Sequence, residues 1–443
     1  MIVVASIVGS LLLIGVWWAF DHALTRWTRL PKPWGWIVHA LLGVLIVGAG
    51  LSMSVARSLP DIQRWRPVTS GFLVGAAWLF YTGLGVAVIA VVNAVWHLIE
   101  WSRARRRTAE SDEVAESGEV VESVEPVEDD QPTDVPARPR RALAGEPSRP
   151  AKAVTTRRVF LRWAVCGVVV LAAATTALGF VRARTPQVTQ VTVASDDLPA
   201  SFQGFRIALV ADIHVGPSVS GEFVKDLVTR VNAQEPDLIV IAGDLVDGSV
   251  AQLGPELEAL ADLEAPYGTV LTTGNHEFFT DGVDDWLDYW RAQGITVLDN
   301  SGVQLARGGS TIDVLGINDA TGSGPHQPDL VAAATTLLDS FGTPLAGDDR
   351  FRLLVAHQPL QAEEMLGPPF DSSLPRHLGI DVQLSGHTHG GQLWPFRYAV
   401  YLQQPVVDGV HEVEGIQVVT TRGAGSWGPP VRVLADPEIV MVT

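Results

Sequence analysis

Five short apolar runs constrain the fold of the C-terminal part of this chain more than any other feature. They are Phe205–Ala211, Asp237–Ala242, Gly268–Thr273, Phe351–Ala356 and Ile380–Leu384. Apolar runs of this length are typical of buried β-strands, because independent helices need more residues. Between the first two runs, Ser220–Gln234 shows the apolar period of an amphipathic helix. This alternation of strand and helix predicts an α/β domain, and the Gly-rich stretch from Thr296 to Thr443 is expected to add short strands.

Polar residues follow each of the five runs. In chain order they are Asp212-Ile213-His214, Gly243-Asp244, Gly274-Asn275-His276-Glu277, His357-Gln358-Pro359 and Gly386-His387-Thr388-His389. Because ligands gather at the carboxyl ends of strands in α/β sheets, we expect these side chains to meet. Each motif alone is a weak signal, whereas all five in order argue against a purely structural role.

Seven of these residues offer an oxygen or an imidazole nitrogen, and none offers sulfur. The predicted metal ligands are Asp212, His214, Asp244, Asn275, His357, His387 and His389. This mixture suits Mn, Fe, Zn or Co better than Mg or Ca, which prefer oxygen alone. A pair of metal ions needs a ligand that reaches both, and the Asp244 carboxylate, preceded by Gly243, is the predicted bridge.

The constellation resembles the calcineurin-like metallophosphoesterase superfamily, whose signature runs DxH, GD, GNH[DE], H and GHxH. The match covers about residues 190–443 and fills every position of the signature. Leu198-Pro199, the stretch Leu384–Gln392 and Arg422-Gly423 are similar to a bacterial, membrane-associated branch that is often exported by the twin-arginine route. The resemblance implies a four-layer α/β/β/α sandwich in which two mixed sheets face each other with helices outside.

The resemblance also implies roles for the ligands. One divalent ion would be held by Asp212, His214 and His389, and the other by Asn275, His357 and His387. Asp244 and a water or hydroxide would lie between the two ions. The reaction would be hydrolysis of a phosphate ester or phosphoanhydride by in-line attack of that hydroxide on phosphorus.

Further residues near the motifs receive weaker assignments. His276 is the expected proton donor to the leaving oxygen, and Glu277, where many relatives have Asp, is expected to orient it. Arg422 is either a ligand of a phosphate oxygen or a surface or C-terminal strand contact. The aromatic stretch Trp394–Tyr398 is a pocket wall, a membrane contact or a packed loop, and Trp427 is a second candidate near the site.

The N-terminal part has a different pattern, with apolar segments long enough to cross a bilayer as helices. Three are Ile2–Phe20, Trp34–Val55 and Gly71–Leu98, and a fourth, Val159–Val181, contains Arg162. Core helices of a soluble protein are the alternative, but they rarely run so far without charge. The predicted regions are therefore a three-span region at residues 1–101, a linker at 102–156, a fourth span at 157–185 and the phosphoesterase domain at 186–443.

The predicted linker is acidic and flanked by arginines. Residues 109–137 hold eleven acidic residues and no basic residue, a composition that favours disorder. The flanking basic clusters predict a cytoplasmic linker, and alternation then predicts an external phosphoesterase domain on a multi-pass cell-membrane protein. The arginines of loop 57–69, which would be external, argue against this topology.

The fourth span begins with Thr156-Arg157-Arg158-Val159-Phe160-Leu161-Arg162, which resembles a twin-arginine export signal. Two arginines that only anchor a span on the cytoplasmic side are the alternative. If the signal is genuine, the twin-arginine export machinery is a partner.

Charge and cysteine content narrow the other partners. Residues 186–443 hold 34 acidic and 11 basic residues, so nucleic acid is not an expected ligand. The single cysteine, Cys166, permits neither an intrachain disulfide nor a thiolate metal site. The expected substrate is a phosphorylated small molecule or a lipid-linked phosphate.

Two other classes of function remain open. The chain could be a non-catalytic metal-binding sensor or scaffold on a membrane anchor, although such a module has no need of His276. It could also be a small transporter with a regulatory hydrolase domain, although ionisable groups in the spans are few: His39, His97 and Arg162.

Overall fold

The computed structural model describes residues 32–56, 61–116, 151–280, 282–341, 350–364 and 379–443. The predicted first span, Ile2–Phe20, and residues 117–150 of the predicted linker lie outside this set. The described chain divides into two compact units. One holds residues 32–39, 80–116 and 151–172, and the other holds the described residues of 40–79 and 173–443.

Three helices form the N-terminal part, namely α1 (Lys32–Ala56), α2 (Ile62–Glu116) and α3 (Ala151–Arg182). Within the residues that the structure describes, two stretches are long and apolar enough to cross a membrane, Ile62–Ala109 and Val159–Arg182. The expectation of about four such helices is therefore met for two. In α1 only the shorter apolar stretch His39–Ser52 is found, so its predicted span stays a prediction.

Helices α2 and α3 both extend into residues predicted to be linker. Helix α2 continues past residue 101 to Glu116, and α3 begins at Ala151 rather than at residue 157. The added residues of α2 are rich in Arg, Ala and Glu, which have high helix propensity and can prolong an existing helix without burying apolar surface.

The first sheet contains both ends of the C-terminal domain. Its strands are β1 (Gln187–Val191), β2 (Ile207–Val210), β3 (Leu238–Ala242), β4 (Thr269–Thr272), β5 (Thr296–Val297) and β12 (Glu438–Val442). The strand order is β1-β12-β2-β3-β4-β5. Strands β2 to β5 are parallel, and β12 is antiparallel to β2, so the sheet is mixed.

The second sheet is built from the later part of the chain. Its strands are β6 (Ser301–Arg307), β7 (Ser310–Gly316), β8 (Arg352–Val355), β9 (Val382–Ser385), β10 (Gly409–Val413) and β11 (Ile416–Thr420). The order is β10-β11-β9-β8-β7-β6, with antiparallel pairs at both edges and parallel pairs between them.

Short helices connect the strands. They are α4 (Gly221–Asn232), α5 (Val250–Leu257), α6 (Asn275–Phe279), α7 (Val283–Ala292), α8 (Leu330–Phe341), α9 (Gln361–Glu364) and α10 (Arg397–Val400). Single 3-10 turns lie at Ala200–Phe202, Glu258–Asp262, Gly324–His326 and His389–Gly391.

Three clusters of buried apolar residues hold the sheets and helices of the domain together. The period of two along each strand sends Leu209 of β2 toward the second sheet, where it joins a core with Val314 and Val355. The neighbouring Ala208 and Val210 face α4, α5 and α7, and a third cluster packs the outer face of the second sheet on α8. The structure thus confirms a mixed α/β domain with two facing sheets and helices on the outer faces.

All five predicted strands are present, but they are divided between the sheets. Strands β2, β3 and β4 belong to the first sheet, and β8 and β9 belong to the second. Asp237 and Phe351 precede their strands, and β9 begins at Val382 rather than Ile380. The sequence motifs therefore come from the ends of two sheets, which the sandwich brings together.

Candidate metal centre

The loops that follow these strands leave them by sharp turns. Five of the predicted ligands have positive φ angles: Asp212 at 57°, His214 at 54°, Asp244 at 57°, His387 at 71° and His389 at 52°. Few residues other than glycine adopt this conformation, and it is concentrated at functional sites because the surrounding structure must impose it. The backbone is thus arranged to aim these side chains.

Asp212, His214 and His389 form the first ligand group. The Nε2 atoms of His214 and His389 lie 3.0 Å apart, and Oδ1 of Asp212 lies 3.7 Å from Nε2 of His389. All three side chains are buried. Two converging imidazole nitrogens and a carboxylate are a donor set that a divalent transition metal can bind.

Asp244, His357 and His387 form the second group. The Nδ1–H of His357 donates to the Ala242 carbonyl at 2.6 Å, so its Nε2 points toward Asp244 at 3.2 Å. The side-chain oxygen of Asn275 lies 3.2 Å from Nε2 of His357 and 2.8 Å from Nδ1 of His387. The four side chains thus direct oxygen and nitrogen atoms to one point.

Asp244 lies between the two groups. Its Oδ2 is 3.2 Å from Nε2 of His357 and 3.6 Å from Nε2 of His214. A Cβ on Gly274 would meet the other carboxylate oxygen of Asp244 at 2.2 Å. Glycine at this position is therefore what lets the carboxylate reach both groups.

The electrostatics of the site suit ligands that must offer lone pairs. Burial lowers the pKa of His387 to about 3, and burial together with Arg432 holds the pKa of His389 well below its usual value. Both imidazoles are therefore neutral near pH 7, as metal binding requires. Burial opposes the charge of Asp244, yet the adjacent imidazoles, His357 above all, hold its pKa well below normal. Burial opposes the charge of His357, but the adjacent carboxylates, Asp244 above all, raise its pKa well above its usual value, so His357 would release a proton when a cation binds. The residues present fit a pair of divalent cations by donor type and by convergence.

Asp247 is a site residue that we did not predict. Its Oδ1 lies 2.5 Å from Nδ1 of His276 and 3.6 Å from Nδ1 of His214, and all three side chains are buried. The adjacent imidazoles keep the pKa of Asp247 low despite its burial, so it is a carboxylate. A signal was available, since Asp247 is the second acidic residue after β3.

Glu277 does not contact His276 in the way that we expected. Its carboxylate accepts the backbone N–H groups of Asp244, Leu245 and Gly274 at 3.0, 2.8 and 2.7 Å. These bonds join the loops after β3 and β4. Asp247, and not Glu277, contacts the His276 imidazole. The Glu277 carboxylate instead binds backbone N–H groups.

Arg432 is a second residue that we missed. It is fully buried, donates from Nη1 to the His389 carbonyl at 2.8 Å and has Nη2 at 3.1 Å from Nδ1 of His389. The arginine therefore fixes the orientation of a predicted ligand. Only tertiary packing shows this, because Arg432 lies 43 residues from His389 in a segment without a motif.

The weaker assignments have mixed outcomes. The Arg422 guanidinium donates to the Asp436 carbonyl and to the Glu438 carboxylate, which is the structural contact that we gave as the alternative. Trp427 lies with its ring centre 6.2 Å from that of His276, and half of its surface is exposed. It therefore stands at the edge of the site.

Comparisons with known proteins agree with this geometry. A family model described as calcineurin-like phosphoesterase matches residues 205–391. An uncharacterized metallophosphoesterase of Campylobacter jejuni is 35% identical over 263 residues, which is 58% of this chain and 63% of that protein. A transmembrane protein with metallophosphoesterase domain from Danio rerio is 33% identical over 266 residues, which is 59% of this chain and 57% of that protein.

The chain thus spans less than two thirds of the length of these two relatives. Among solved structures, a phosphopantetheinyl hydrolase of Mycobacterium tuberculosis has a TM-score of 0.31 and 13% identity, with 50% of this chain and 89% of that one covered. Both relatives are named as metallophosphoesterases or as proteins with such a domain. Residues 205–391 of this chain are thus similar in sequence to calcineurin-like phosphoesterases.

Proposed function

We propose that this protein is a membrane-anchored phosphohydrolase that cleaves a phosphate ester or phosphoanhydride with two divalent metal ions. The observation that carries the proposal is the position of the Asp244 carboxylate, which faces His214 of the first ligand group and His357 of the second. A ligand shared in this way is what a dinuclear centre needs.

The ligand groups assign residues to each ion. Asp212, His214 and His389 would hold one, and Asn275, His357 and His387 would hold the other. Bound metals would lower the pKa of a shared water toward neutrality and neutralise charge that develops on the phosphoryl oxygens. Mn, Fe, Zn and Co all suit the mixed oxygen and nitrogen donors.

His276 has the geometry of a general acid. Its Nδ1 faces Asp247 at 2.5 Å, so the Nδ1–H donates to that carboxylate and the proton available for transfer is at Nε2. A buried carboxylate at Nδ1 stabilises the imidazolium and fixes the ring orientation. His276 would therefore donate the Nε2 proton to the leaving oxygen as the phosphorus–oxygen bond breaks.

Exposed apolar side chains on the helices support membrane anchoring. Val91, Val92 and Leu98 of α2 and Val170 and Leu171 of α3 are all more than half exposed. Helices with this much exposed apolar surface need an apolar partner, and a bilayer supplies one. The name of the Danio rerio relative, a transmembrane protein, supports an anchor.

We propose further that the anchor is multi-pass and that the domain faces the outside of the cell. The arginines of loop 57–69 are the sequence feature that argues against this topology. Arg66, however, donates to the Gly216 carbonyl at 2.9 Å and pairs with Glu256 at 2.7 Å, so its charge is used to dock the domain. These contacts explain the charge of Arg66, so it is not evidence that the loop is cytoplasmic. Export by the twin-arginine machinery remains part of the proposal.

The test uses the full chain, purified in detergent and loaded with Mn, Fe or Zn, against monoesters, diesters and pyrophosphate. His276→Ala is expected to retain its metal and to lose roughly a hundredfold or more of its activity on substrates with poor leaving groups. The loss should be smaller for p-nitrophenyl phosphate, whose leaving group needs little protonation. His411→Ala, at a histidine on β10 that contacts only the Asp408 carbonyl among its described hydrogen bonds, is the matched control.

Two results would contradict the proposal. Metal-loaded protein that hydrolyses no substrate class would favour a binding module. Equal losses in His276→Ala across all leaving groups would remove the general-acid role and leave the metal centre as the sole catalytic element.

A further inference from the structure

An exposed apolar surface borders the candidate metal centre. Its members come from the loop after the GHTH motif and from the segment before β12, and we call them the aromatic rim: Trp394, Phe396, Tyr398, Leu402 and Leu434. Leu402 is 85% exposed and Leu434 is 66% exposed. Grouped exposed residues of this kind mark interaction surfaces.

The aromatic rim is attached directly to the metal centre. The loop that carries it begins at Gln392, three residues after His389. Gln392 donates to the Trp427 carbonyl at 2.8 Å and accepts the Trp427 N–H at 3.0 Å, and the Trp427 ring is next to His276. Trp427 therefore contacts both the start of the loop that carries the rim and the predicted proton donor.

The aromatic rim is also continuous with the end of a predicted membrane helix. The N–H of Trp394 donates to the Val433 carbonyl at 3.1 Å, and the N–H of Arg432 donates to the Gly179 carbonyl of α3 at 3.0 Å. Three residues further along α3, Arg182 lies 3.5 Å from Asp436. Basic residues at the end of an apolar helix mark the depth of the headgroups, so the rim lies at the level where α3 leaves the membrane.

A second helix also contacts the domain next to the candidate site. At the start of α2, the hydroxyl of Thr69 donates to the Pro217 carbonyl at 2.7 Å, and Arg66 donates to Gly216. The segment 216–217 directly follows the ligand His214, and a Cβ on Gly216 would meet Asp247 at 2.7 Å. Two predicted membrane helices thus contact the domain through segments that border the candidate site.

We propose that the aromatic rim enters the headgroup region of the bilayer, so that the metal centre takes its phosphate group from an amphiphile that resides in the membrane. Aromatic residues prefer this region because one end of the ring is apolar and the other polar. The inference rests on the proposed membrane anchor and phosphohydrolase activity, and it narrows the substrate to a phosphate whose remainder is embedded in lipid.

The position of the rim is tested with a fluorescent probe on the full chain. In a Cys166→Ser background, Leu402→Cys is labelled with an environment-sensitive dye, and the protein is placed in phosphatidylcholine nanodiscs that contain a lipid with a quencher near its headgroup. Val331→Cys is the matched control, since Val331 is an exposed apolar residue on α8, the helix on the outer face of the second sheet. We expect strong quenching at residue 402 and little at residue 331, and equal quenching would overturn the proposal.

Substrate access is tested by competition. Phosphatidic acid in the nanodisc, whether hydrolysed or only bound, should inhibit hydrolysis of p-nitrophenyl phosphate by the wild-type protein. In Phe396→Ser/Leu402→Ser its inhibition constant should rise by about tenfold or more, because the removed side chains no longer bury apolar surface in lipid. An unchanged constant, or no inhibition of the wild type, would overturn access from the bilayer.

The two readouts separate this inference from the proposed function. Hydrolysis of p-nitrophenyl phosphate by the labelled proteins reports whether the metal centre works. Quenching at residue 402 without any hydrolysis would refute the enzyme and leave the membrane contact in place. Hydrolysis without quenching would support the enzyme and refute the membrane contact. A cross-link between two copies through Leu402→Cys would assign the rim to a dimer interface instead.

Discussion

Asp247→Asn removes a single charge from the candidate site and keeps the shape of the side chain. Asp247 holds Nδ1 of His276 at 2.5 Å, and both side chains are at least nine-tenths buried. An amide can offer only a neutral hydrogen bond. If its oxygen faces Nδ1, the neutral ring has no proton at Nε2, and if its NH₂ group faces Nδ1, the Nε2–H belongs to a neutral imidazole, which is a far weaker acid than the imidazolium. Either outcome removes the acidic imidazolium proton that His276 is proposed to donate.

The magnitude follows from the role of His276. General-acid help is worth about 10²–10⁴ in rate, or about 3–5 kcal/mol of transition-state stabilisation. We therefore expect kcat for an alkyl phosphate to decrease by a factor of about 10²–10⁴. Because Asp247 also lies 3.6 Å from Nδ1 of the ligand His214, metal affinity should fall by roughly tenfold, and the assay is run at saturating metal.

A double-mutant cycle decides whether Asp247 acts through His276. In a His276→Ala background, Asp247→Asn should cause no further loss of kcat, since the proton that it positions is already absent. If the two losses multiply instead, Asp247 acts by another route, and the positioning argument is refuted. Elemental analysis of each variant confirms that metal content is equal.

Two further predictions concern the metal bridge and the topology. Asp244→Asn should abolish activity and most binding of both divalent ions, and an unchanged metal content would remove Asp244 from the centre. Replacing Arg157 and Arg158 together with Lys should trap the domain in the cytoplasm if the twin-arginine machinery reads guanidinium groups, and protease accessibility on spheroplasts measures this. Full accessibility of the double-lysine variant would instead favour ordinary membrane insertion.

The sequence was sufficient for the features that depend on local pattern. Short apolar runs such as Leu238–Ala242 form strands because their length and flanking residues permit little else. The polar residues after each run lie at strand ends, and the structure brings the seven predicted ligands into two adjacent groups that share Asp244. Most of the candidate centre could therefore be predicted from the types of donor atom and from the order of the ligands along the chain.

Contacts between distant parts of the chain required the tertiary structure. The sequence did not show that β4 belongs to the first sheet and β8 to the second. Both have the pattern of short buried strands, and the pairing of strands depends on non-local packing. Arg432 reaches His389 across 43 residues, and Asp247 rather than Glu277 faces His276. A sequence pattern specifies which groups are available and which faces are buried, whereas the direction of each side chain depends on backbone turns and neighbours that only the folded chain brings together.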